Sequence, residues 1–348
     1  MSRLFKEEKS VENVTVITIL KTGKLEWTLM NKLLQYIISE DIDVLMGPAQ
    51  GEDAAVIRVR DGFLVVHSNP ITASVKHIGY LAVHVAANDI AVRGVKPRWF
   101  LPVVLLPPHY SISDVEVIFK DMGRALKEIC GVVIGGHTEI APGLNRPLIS
   151  MTAAGYTASR VIFTRDAREG DLLYVIGRVG GEGAGIIAWD FEQLLTSKGV
   201  SESVIKAARN FIFDISVIDI ALKIRDYVNT MHDATEGGIL QAIREIAVAS
   251  NKAITINLES VVIDPIVNTI SEAVNVDPLR LLSSGCLVAT VPPQYKNELE
   301  NTLENLRKPY SVIGRIKSGK GEVYLYRNLQ LIEVINRDII DEIYKLWS

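Results

Sequence analysis

The chain of 348 residues carries 37 basic and 41 acidic side chains, which gives a formal net charge of −4. That balance and the pI of about 5.9 argue against a nucleic-acid-binding protein held by a strong basic field. At 48% hydrophobic and 22% charged residues, the composition is that of a globular protein, and the length allows two domains. There is no run of 18 apolar residues, so no membrane span is expected. The first residues do not resemble a signal peptide, and we predict a soluble cytoplasmic protein.

Hydrophobic periodicity and turn residues predict the elements of the first half. Residues 1–46 are expected to form an N-terminal extension and residues 47–162 the first domain. In chain order we expect a strand at 12–20 and a helix at 28–39, followed by a hairpin of strands at 54–60 and 63–68 that turns at Asp61-Gly62. A helix at 75–92 and a strand at 98–106 should follow. After them we expect a helix with a capping box of Ser113 and Glu116, a short buried strand in GVVIGG, and a strand at 148–158.

A polar tract, TRDAREGD at 164–171, precedes the apolar run LLYVIG and predicts a domain boundary near 160–168. The second domain is expected to span residues 163–348. In it we expect helices at 203–227, 236–250, 293–306 and 337–347, and strands at 254–258, 286–291, 311–316 and 322–327. Strands and helices in mixed order favour α+β domains over a regular βαβ array.

Two glycine-rich stretches resemble phosphate-binding loops without matching them. GRIKSGKG at 314–321 ends in Gly321 where a P-loop needs Ser or Thr, and a strand pattern follows, so a basic hairpin turn is favoured. GRVGGEGAG at 177–185 fails the dinucleotide pattern because Ile186 stands at the last glycine position. Its glycines fit either a backbone approach to phosphate or a plain tight turn.

Cysteines and histidines give no metal or nucleophile motif. Cys130 and Cys286 lie in apolar runs and are expected to be buried thiols. Among the six histidines, His77 and His84 are spaced two helical turns apart, but the sequence offers no third ligand beside them. A zinc site is therefore not predicted.

Four stretches combine acids, amides and glycines with neighbouring apolar runs. They are GED at 51–53, Asn88-Asp89, GGHTE at 135–139 and HDATEGGI at 232–239. Carboxylate and amide oxygens are ligands that Mg²⁺ prefers, and paired glycines leave backbone N–H groups open to phosphate oxygens. Taken singly, each stretch also fits an ordinary role as a strand-edge guard, a helix end or a helix cap. Taken together, they favour a site for Mg²⁺ and phosphate.

These motifs, in this order, resemble the AIR synthase (PurM-like) superfamily, and most closely its hydrogenase-maturation HypE branch. The resemblance is carried by GKL at 23–25, GEDAAV, AANDIAVRGVKPRWF, GGHTE, HDATEGGI and SSGCL at 283–287, and it covers residues 23–330. It implies an α+β fold of two PurM-like domains. In such a fold the N-terminal sheet forms an inter-subunit barrel in a homodimer, and the C-terminal domain is an α/β sandwich.

The resemblance also implies ATP and Mg²⁺ as cofactors, a small-molecule substrate, and no nucleic acid or membrane partner. The implied metal ligands are Glu52, Asp53 and Asp89. The implied catalytic residues are His137, Glu139, Asp233 and Glu236. The implied cofactor-binding residues are Gly51, Asp53, Asn69, Asn88, Gly135, Gly136 and Thr138.

Two departures from the family pattern leave the activity open. Asn69 stands where relatives usually carry aspartate, so one negative charge is lost although the amide oxygen can still ligate. No cysteine follows Cys286, so the dehydration of a terminal cysteine tail, as in HypE, is not expected. We therefore consider two functions. One is an ATP-dependent phosphoryl-transfer enzyme acting on a small amide, carbonyl or phosphate substrate, and the other is a non-catalytic nucleotide-binding assembly or regulatory protein with a protein partner.

Overall fold

The computed structural model describes residues 27–37 and 41–347. Two sheets of seven strands each organise these residues. The strands of the first sheet are β1 (Val44–Met46), β2 (Ala55–Val59), β3 (Gly62–Ile71), β4 (Trp99–Leu106), β5 (Val132–Val133), β6 (His137–Ile140) and β7 (Leu148–Thr157). Their order is β1-β2-β3-β7-β4-β5, with β6 also paired to β4.

The second sheet is formed entirely by the C-terminal half. Its strands are β8 (Leu172–Ile176), β9 (Thr230–Asp233), β10 (Lys252–Asn257), β11 (Leu287–Val291), β12 (Tyr310–Ser318), β13 (Val323–Arg327) and β14 (Gln330–Ile335). Their order is β14-β13-β10-β12-β8-β11-β9. The helices are α1 (Trp27–Leu34), α2 (Ile78–Ala91), α3 (Ile112–Ile129), α4 (Gly181–Asp190), α5 (Glu192–Ser197), α6 (Glu202–Arg209), α7 (Ile218–Ile224), α8 (Gly238–Ser250), α9 (Pro265–Val274) and α10 (Lys296–Asn305).

The first sheet is covered by helices on one face. Along β4, Phe100, Val104 and Leu106 are buried under α2 and α3, whereas Val103 points to the opposite face and is 38% exposed. Alternation of this kind places successive side chains on opposite faces of a sheet. Among the described helices, α2 makes the most extensive contacts with this sheet, against β3 and β7.

Helix α2 is buried on every side, and it carries polar residues into the junction between the domains. All of its residues from Ile78 to Ala91 are buried, because it packs against β3 and β7 of the first sheet and also against α7 and β9 of the second domain. A helix that is apolar all round belongs in an interior. The buried polar residues Asn88, Asp89 and Arg93, on or just after this helix, are therefore placed at the junction.

The second sheet lies between two layers of helices. Leu173 and Val175 of β8 face α8, whereas Tyr174 and Ile176 face the layer that contains α4, α6, α7 and α9. The C-terminal half is thus an α/β sandwich, and the whole chain is a two-domain α+β protein, as predicted. The first sheet ends at Thr157 and the second begins at Leu172.

Most predicted strands are confirmed, but several helix predictions are wrong. The predicted helix at 203–227 is interrupted between α6 and α7 by a 3₁₀ turn, Asn210–Phe213, because Phe211 and Ile212 turn into the core. The predicted helix at 337–347 is reduced to a 3₁₀ turn at Glu342–Leu346. The strands β1, β6 and β14 and the helices α5 and α9 were not predicted. The expected strand at 12–20 lies outside the described residues.

Three local predictions also need correction. The capping box of α3 is formed by Ser111 and Asp114, whose side chains each bond the other's backbone N–H, and not by Ser113 and Glu116. The stretch 314–321 is not a hairpin turn, because β10 lies between β12 and β13. Cys130 is exposed, since it ends α3 in a left-handed conformation, whereas Cys286 is buried. No helix in the described ranges is long and apolar enough to cross a membrane.

Candidate functional site

The GED loop before β2 runs directly against the second domain. Gly51 has φ +79°, and a Cβ atom there would lie 2.4 Å from the carbonyl oxygen of Glu245 on α8. Only glycine fits both the left-handed backbone and this approach. The contact between the two domains thus explains why a glycine stands at position 51, and the cofactor-binding role implied for Gly51 stays a prediction.

The carboxylate of Glu52 is held by a buried arginine and by the interdomain connector. Its Oε2 lies 2.8 Å from Nη1 of Arg93. The backbone N–H groups of Thr164 and Arg165 donate to its two oxygens, each at 3.1 Å. Because Thr164 and Arg165 connect the two sheets, Glu52 fixes the connector to the first domain.

Asp53 joins the same arginine to a histidine of the second domain. One Asp53 oxygen lies 3.1 Å from Nη2 of Arg93, and the other lies 3.0 Å from Nε2 of His232. The same His232 nitrogen is 3.1 Å from Glu245. Burial alone would lower the pKa of His232, but the charges of Asp53 and Glu245 outweigh it and raise that pKa well above its ordinary value.

Asp89 lies deeper in the junction, beside Asn69. The Asn69 amide nitrogen donates to Asp89 Oδ2 at 3.2 Å, and Nε2 of His67 is 3.5 Å from the same oxygen. The neighbouring Asn88 is occupied by the second domain, because its amide donates to the Ile215 carbonyl at 2.8 Å and accepts from the Val217 N–H at 3.0 Å. Asn88 therefore connects the domains in this structure, and its predicted cofactor-binding role stays a prediction.

Asp233 is an acid of the junction that is buried almost completely. It is 1% exposed, and neither carboxylate oxygen has a hydrogen bond of standard geometry among the described residues, although the Asn88 side chain lies close enough to lower its pKa. Burial, followed by the nearby charges of Asp89, Glu182 and Asp53, raises its pKa well above the ordinary value. A buried carboxylate without such a hydrogen bond is costly, and such groups concentrate at sites that bind a ligand or move a proton.

A C-terminal segment, residues 338–347, covers the HDATEGGI stretch. Asp341 accepts from the backbone N–H of Gly237 at 2.7 Å and from that of Ile343 at 2.8 Å. The Tyr344 hydroxyl donates to Glu236 through a short hydrogen bond and lies 3.4 Å from the Thr72 hydroxyl of the first domain. Glu236, predicted to be catalytic, is therefore bound by the chain's own C-terminal segment here.

The GGHTE stretch lies apart from these acids within one chain. Strand β6 is exposed along its length, and His137 and Glu139 pair with each other at 2.9 Å. His137 is in register with Val103, then Ser150, then Pro70, which neighbours Asn69. Because neighbouring strands are about 4.8 Å apart, His137 is ~14 Å from Pro70. The predicted roles of Gly135, Gly136, His137, Thr138 and Glu139 stay predictions.

The predicted metal ligands fit a divalent ion only in part. Glu52 and Asp53 do not fit, because every one of their carboxylate oxygens already faces a cation or a backbone N–H group. Asp89 fits better, because it lies near the unpartnered oxygens of Asp233. Within the described residues there is no ready cluster of three or more metal-binding side chains. Mg²⁺ commonly needs only one or two carboxylates when substrate phosphates complete its shell.

Sequence reasoning missed several residues of the junction. Arg93 and Glu245 were not selected, and His232 was selected only as part of a motif. Glu182, whose pKa is raised by burial, accepts from the Ser284 N–H at 2.9 Å and was also missed. Arg93 offered one signal, because it interrupts the apolar stretch IAVRGV with a charge that a buried helix end must neutralise.

The burial of Asp341 predicts a decrease in stability with rising pH. Burial raises its folded-state pKa to about 7, against about 3.9 in an unfolded chain. The folded protein therefore retains a proton that the unfolded chain loses, and stability should fall between about pH 4 and pH 7, by up to ~1.4 kcal/mol per pH unit. Urea unfolding across this range should show a smaller decrease for Asp341→Asn, whereas Asp338→Asn should follow the wild type. Parallel curves for all three proteins would contradict the prediction.

The fold and this junction define a class of protein: two α+β domains with a buried, acid-rich site between them. Family models agree with that class. The N-terminal domain of AIR synthase related protein matches residues 51–157, and its C-terminal domain matches residues 168–326. The chain belongs to the AIR synthase related family, as the sequence motifs predicted.

The relatives of this chain include several kinds of protein. A Methanocaldococcus jannaschii protein, provisionally named as a hydrogenase expression/formation protein, is 28% identical over 80% of this chain and 83% of its own length. Carbamoyl dehydratase HypE of Bradyrhizobium diazoefficiens is 26% identical over 71% of each chain. Thiamine-monophosphate kinase of Pyrococcus horikoshii is 26% identical over 84% of this chain and 90% of its own.

Solved structures show the same fold. A HypE–HypF complex superimposes with a TM-score of 0.71 at 19% identity, covering 89% of this chain and 99% of the other. AaThiL complexed with AMPPCP and TMP gives 0.70 at 23% identity, covering 90% and 97%. HypE in complex with ATP gives 0.65 at 20% identity, covering 87% and 90%. Two of these proteins were thus crystallised with ATP or AMPPCP.

Proposed function

We propose that this chain binds ATP in the cleft between its domains and transfers a phosphoryl group to a small acceptor. The observation that carries the proposal is the buried Asp233 carboxylate, which has no hydrogen bond of standard geometry in the described chain and lies near Asp89. A site of this kind is completed by a bound group. Relatives crystallised with ATP or AMPPCP, and a relative that is a thiamine-monophosphate kinase, support ATP as that group.

Asp89 and Asp233 are the residues that would hold a Mg²⁺ ion arriving with the triphosphate, with the Asn69 amide oxygen as a further donor. When bound, Mg²⁺ neutralises phosphate charge. The chain's own contribution is to position the nucleotide and exclude water, since phosphoryl transfer depends mainly on positioning and electrostatics.

Calorimetric titration with a non-hydrolysable ATP analogue tests this assignment. Wild-type protein should bind the analogue in the presence of Mg²⁺, and Asp89→Asn should bind it at least about tenfold more weakly, because a charge-assisted contact is lost. Asp121→Asn, which changes an acid of α3 outside the cleft, is the matched control. No binding by the wild type, or equal binding by Asp89→Asn, would contradict the proposed site.

A second candidate, a non-catalytic nucleotide-binding assembly or regulatory protein, is favoured by one observation. The Asn69 amide donates to Asp89, so a neutral donor occupies the place where relatives usually carry a second acid. The HypE of one solved structure is in complex with HypF, which fits a protein partner. A steady release of ADP with a phosphorylated product would exclude this candidate, whereas binding of the analogue without ATP turnover would support it.

We further propose that the first sheet forms a homodimer through the face opposite α2 and α3. That face carries apolar side chains that are only partly buried in the single chain, including Leu64, Val66, Leu101, Val103 and Leu148. A sheet face of this kind is normally covered by another layer. A second copy of the same sheet would cover it and would form the predicted inter-subunit barrel.

Val103→Lys should therefore weaken self-association, because the lysine would be buried without a partner in the dimer. We expect the dimer dissociation constant to rise about 100-fold or more, measured by light scattering over a concentration series. Val262→Lys, which changes an exposed apolar residue of the second domain, should leave it unchanged. A monomeric wild type at all concentrations would contradict the dimer.

A further inference from the structure

The four carboxylate oxygens of Glu52 and Asp53 are all engaged by groups of the chain itself. Glu52 faces Arg93 and the N–H groups of Thr164 and Arg165. Asp53 faces Arg93 with one oxygen and His232 with the other. The side chains of Glu52 and Asp53 are only 3% and 7% exposed, so water does not compete for these contacts.

The two groups that face these acids are the Arg93 guanidinium and the His232 imidazole. Arg93 has a fully buried guanidinium whose two terminal nitrogens each face one of the acids. His232 places Nδ1 2.8 Å from the carbonyl oxygen of Asp233 and Nε2 about 3 Å from the carboxylates of Asp53 and Glu245. Both ring nitrogens therefore lie beside acceptor oxygens, and this arrangement favours a proton on each of them.

A divalent ion would require a different arrangement of the same acids. Mg²⁺ binds oxygens at about 2.0–2.1 Å in an octahedral shell, and each oxygen offers it a lone pair. In this structure the Glu52 oxygens accept hydrogen bonds from backbone N–H groups. The Asp53 oxygens lie 3.1 Å from Arg93 and 3.0 Å from His232, so a metal at Asp53 would stand against the Arg93 guanidinium. We propose that the buried Arg93 guanidinium, with His232 beside it, takes the place of a divalent cation at Glu52 and Asp53.

This substitution has a structural consequence. Glu52, Asp53 and Arg93 belong to the first domain, whereas His232 and Glu245 belong to the second, so these side chains bridge the domains without a metal. A divalent ion of the site would then be held at Asp89 and Asp233. Residues 51–53 then hold the two domains together at the junction and do not act as metal ligands.

Binding of Mn²⁺ alone, without nucleotide, tests the proposal. Free Mn²⁺ is followed by electron paramagnetic resonance during titration of wild type, Asp53→Asn, and the double variant Arg93→Met/His232→Gln. Wild type and Asp53→Asn should bind the same number of ions. The double variant should bind one additional Mn²⁺ per chain, and adding Asp53→Asn to it should abolish that gain. Arg93→Lys, which keeps the charge, should show no gain.

Loss of a bound ion on Asp53→Asn in the otherwise wild-type protein would overturn the proposal, because Asp53 would then be a metal ligand. A folded double variant that binds no additional ion would overturn it as well. If the double variant does not fold, the comparison of wild type with Asp53→Asn still decides. The experiment contains no nucleotide, so its outcome is separate from whether the chain binds or consumes ATP.

Discussion

Replacing Arg93 with methionine is expected to lower the free energy of unfolding by about 3–5 kcal/mol. The guanidinium is fully buried and pairs with Glu52 and Asp53, which are themselves buried. Its removal leaves two buried carboxylates in a low-dielectric junction without the guanidinium that faces both of them. Removing one partner of such a group costs far more than the pair itself contributes, because an uncompensated charge stays buried.

Urea unfolding at neutral pH measures this loss. Arg98→Met is a matched control, because Arg98 lies five residues further on, is exposed and stacks over Trp99. We expect its effect to stay within about 0.5 kcal/mol, as for most surface substitutions. A loss for Arg93→Met no larger than that of the control would mean that the junction opens enough for water to reach Glu52 and Asp53.

Asp233→Asn should stabilise the protein while removing its activity. The buried carboxylate either stays charged without a hydrogen bond or keeps a proton at neutral pH, and both states cost free energy relative to a neutral amide. We expect a gain of about 1–3 kcal/mol at neutral pH. Phosphoryl transfer should fall by about 10²–10³-fold, as when one electrostatic contact of an active site is lost.

The pH dependence of this gain has a defined sign. The pKa of Asp233 is raised in the folded protein, so the wild type loses stability as pH rises above the unfolded value of about 3.9. The advantage of Asp233→Asn should therefore shrink toward acidic pH. Asp226→Asn, at a carboxylate that is 80% exposed, should change neither stability nor turnover. A destabilised Asp233→Asn would show that the folded protein compensates this charge.

The fold was largely predictable from the sequence because its strongest signals are local. The alternation of inward and outward side chains in WFLPVVLL and the turn residues between β2 and β3 indicate strands without information from distant parts of the chain. The failures arose where packing overrides local pattern. The residues after α6 have helical periodicity, yet Phe211 and Ile212 bend the chain into the core. Residues 337–347 also have helix-forming side chains, but Asp341 is committed to the Gly237 N–H group.

The sequence predicted which acids lie at the candidate site, but not which residues these acids contact. The sequence selected Glu52, Asp53, Asp89 and Asp233, and the structure brings all four to one junction. It could not show that Arg93 and His232 would reach the first two, since these pairs form across long sequence separations and between domains. It also placed GGHTE in the same pocket, and within one chain the strand register separates the two.

The two cysteines differ in accessibility, and each lies in a different domain. Cys130 is exposed at the end of α3, whereas Cys286 is buried in the core beside β11 and burial raises the pKa of its thiol. A thiol-reactive probe should therefore label Cys130 at once in the native protein and reach Cys286 only when the second domain opens. The rate of the slow labelling step thus reports how often that domain opens. Local unfolding of the second domain can therefore be measured on the unaltered chain.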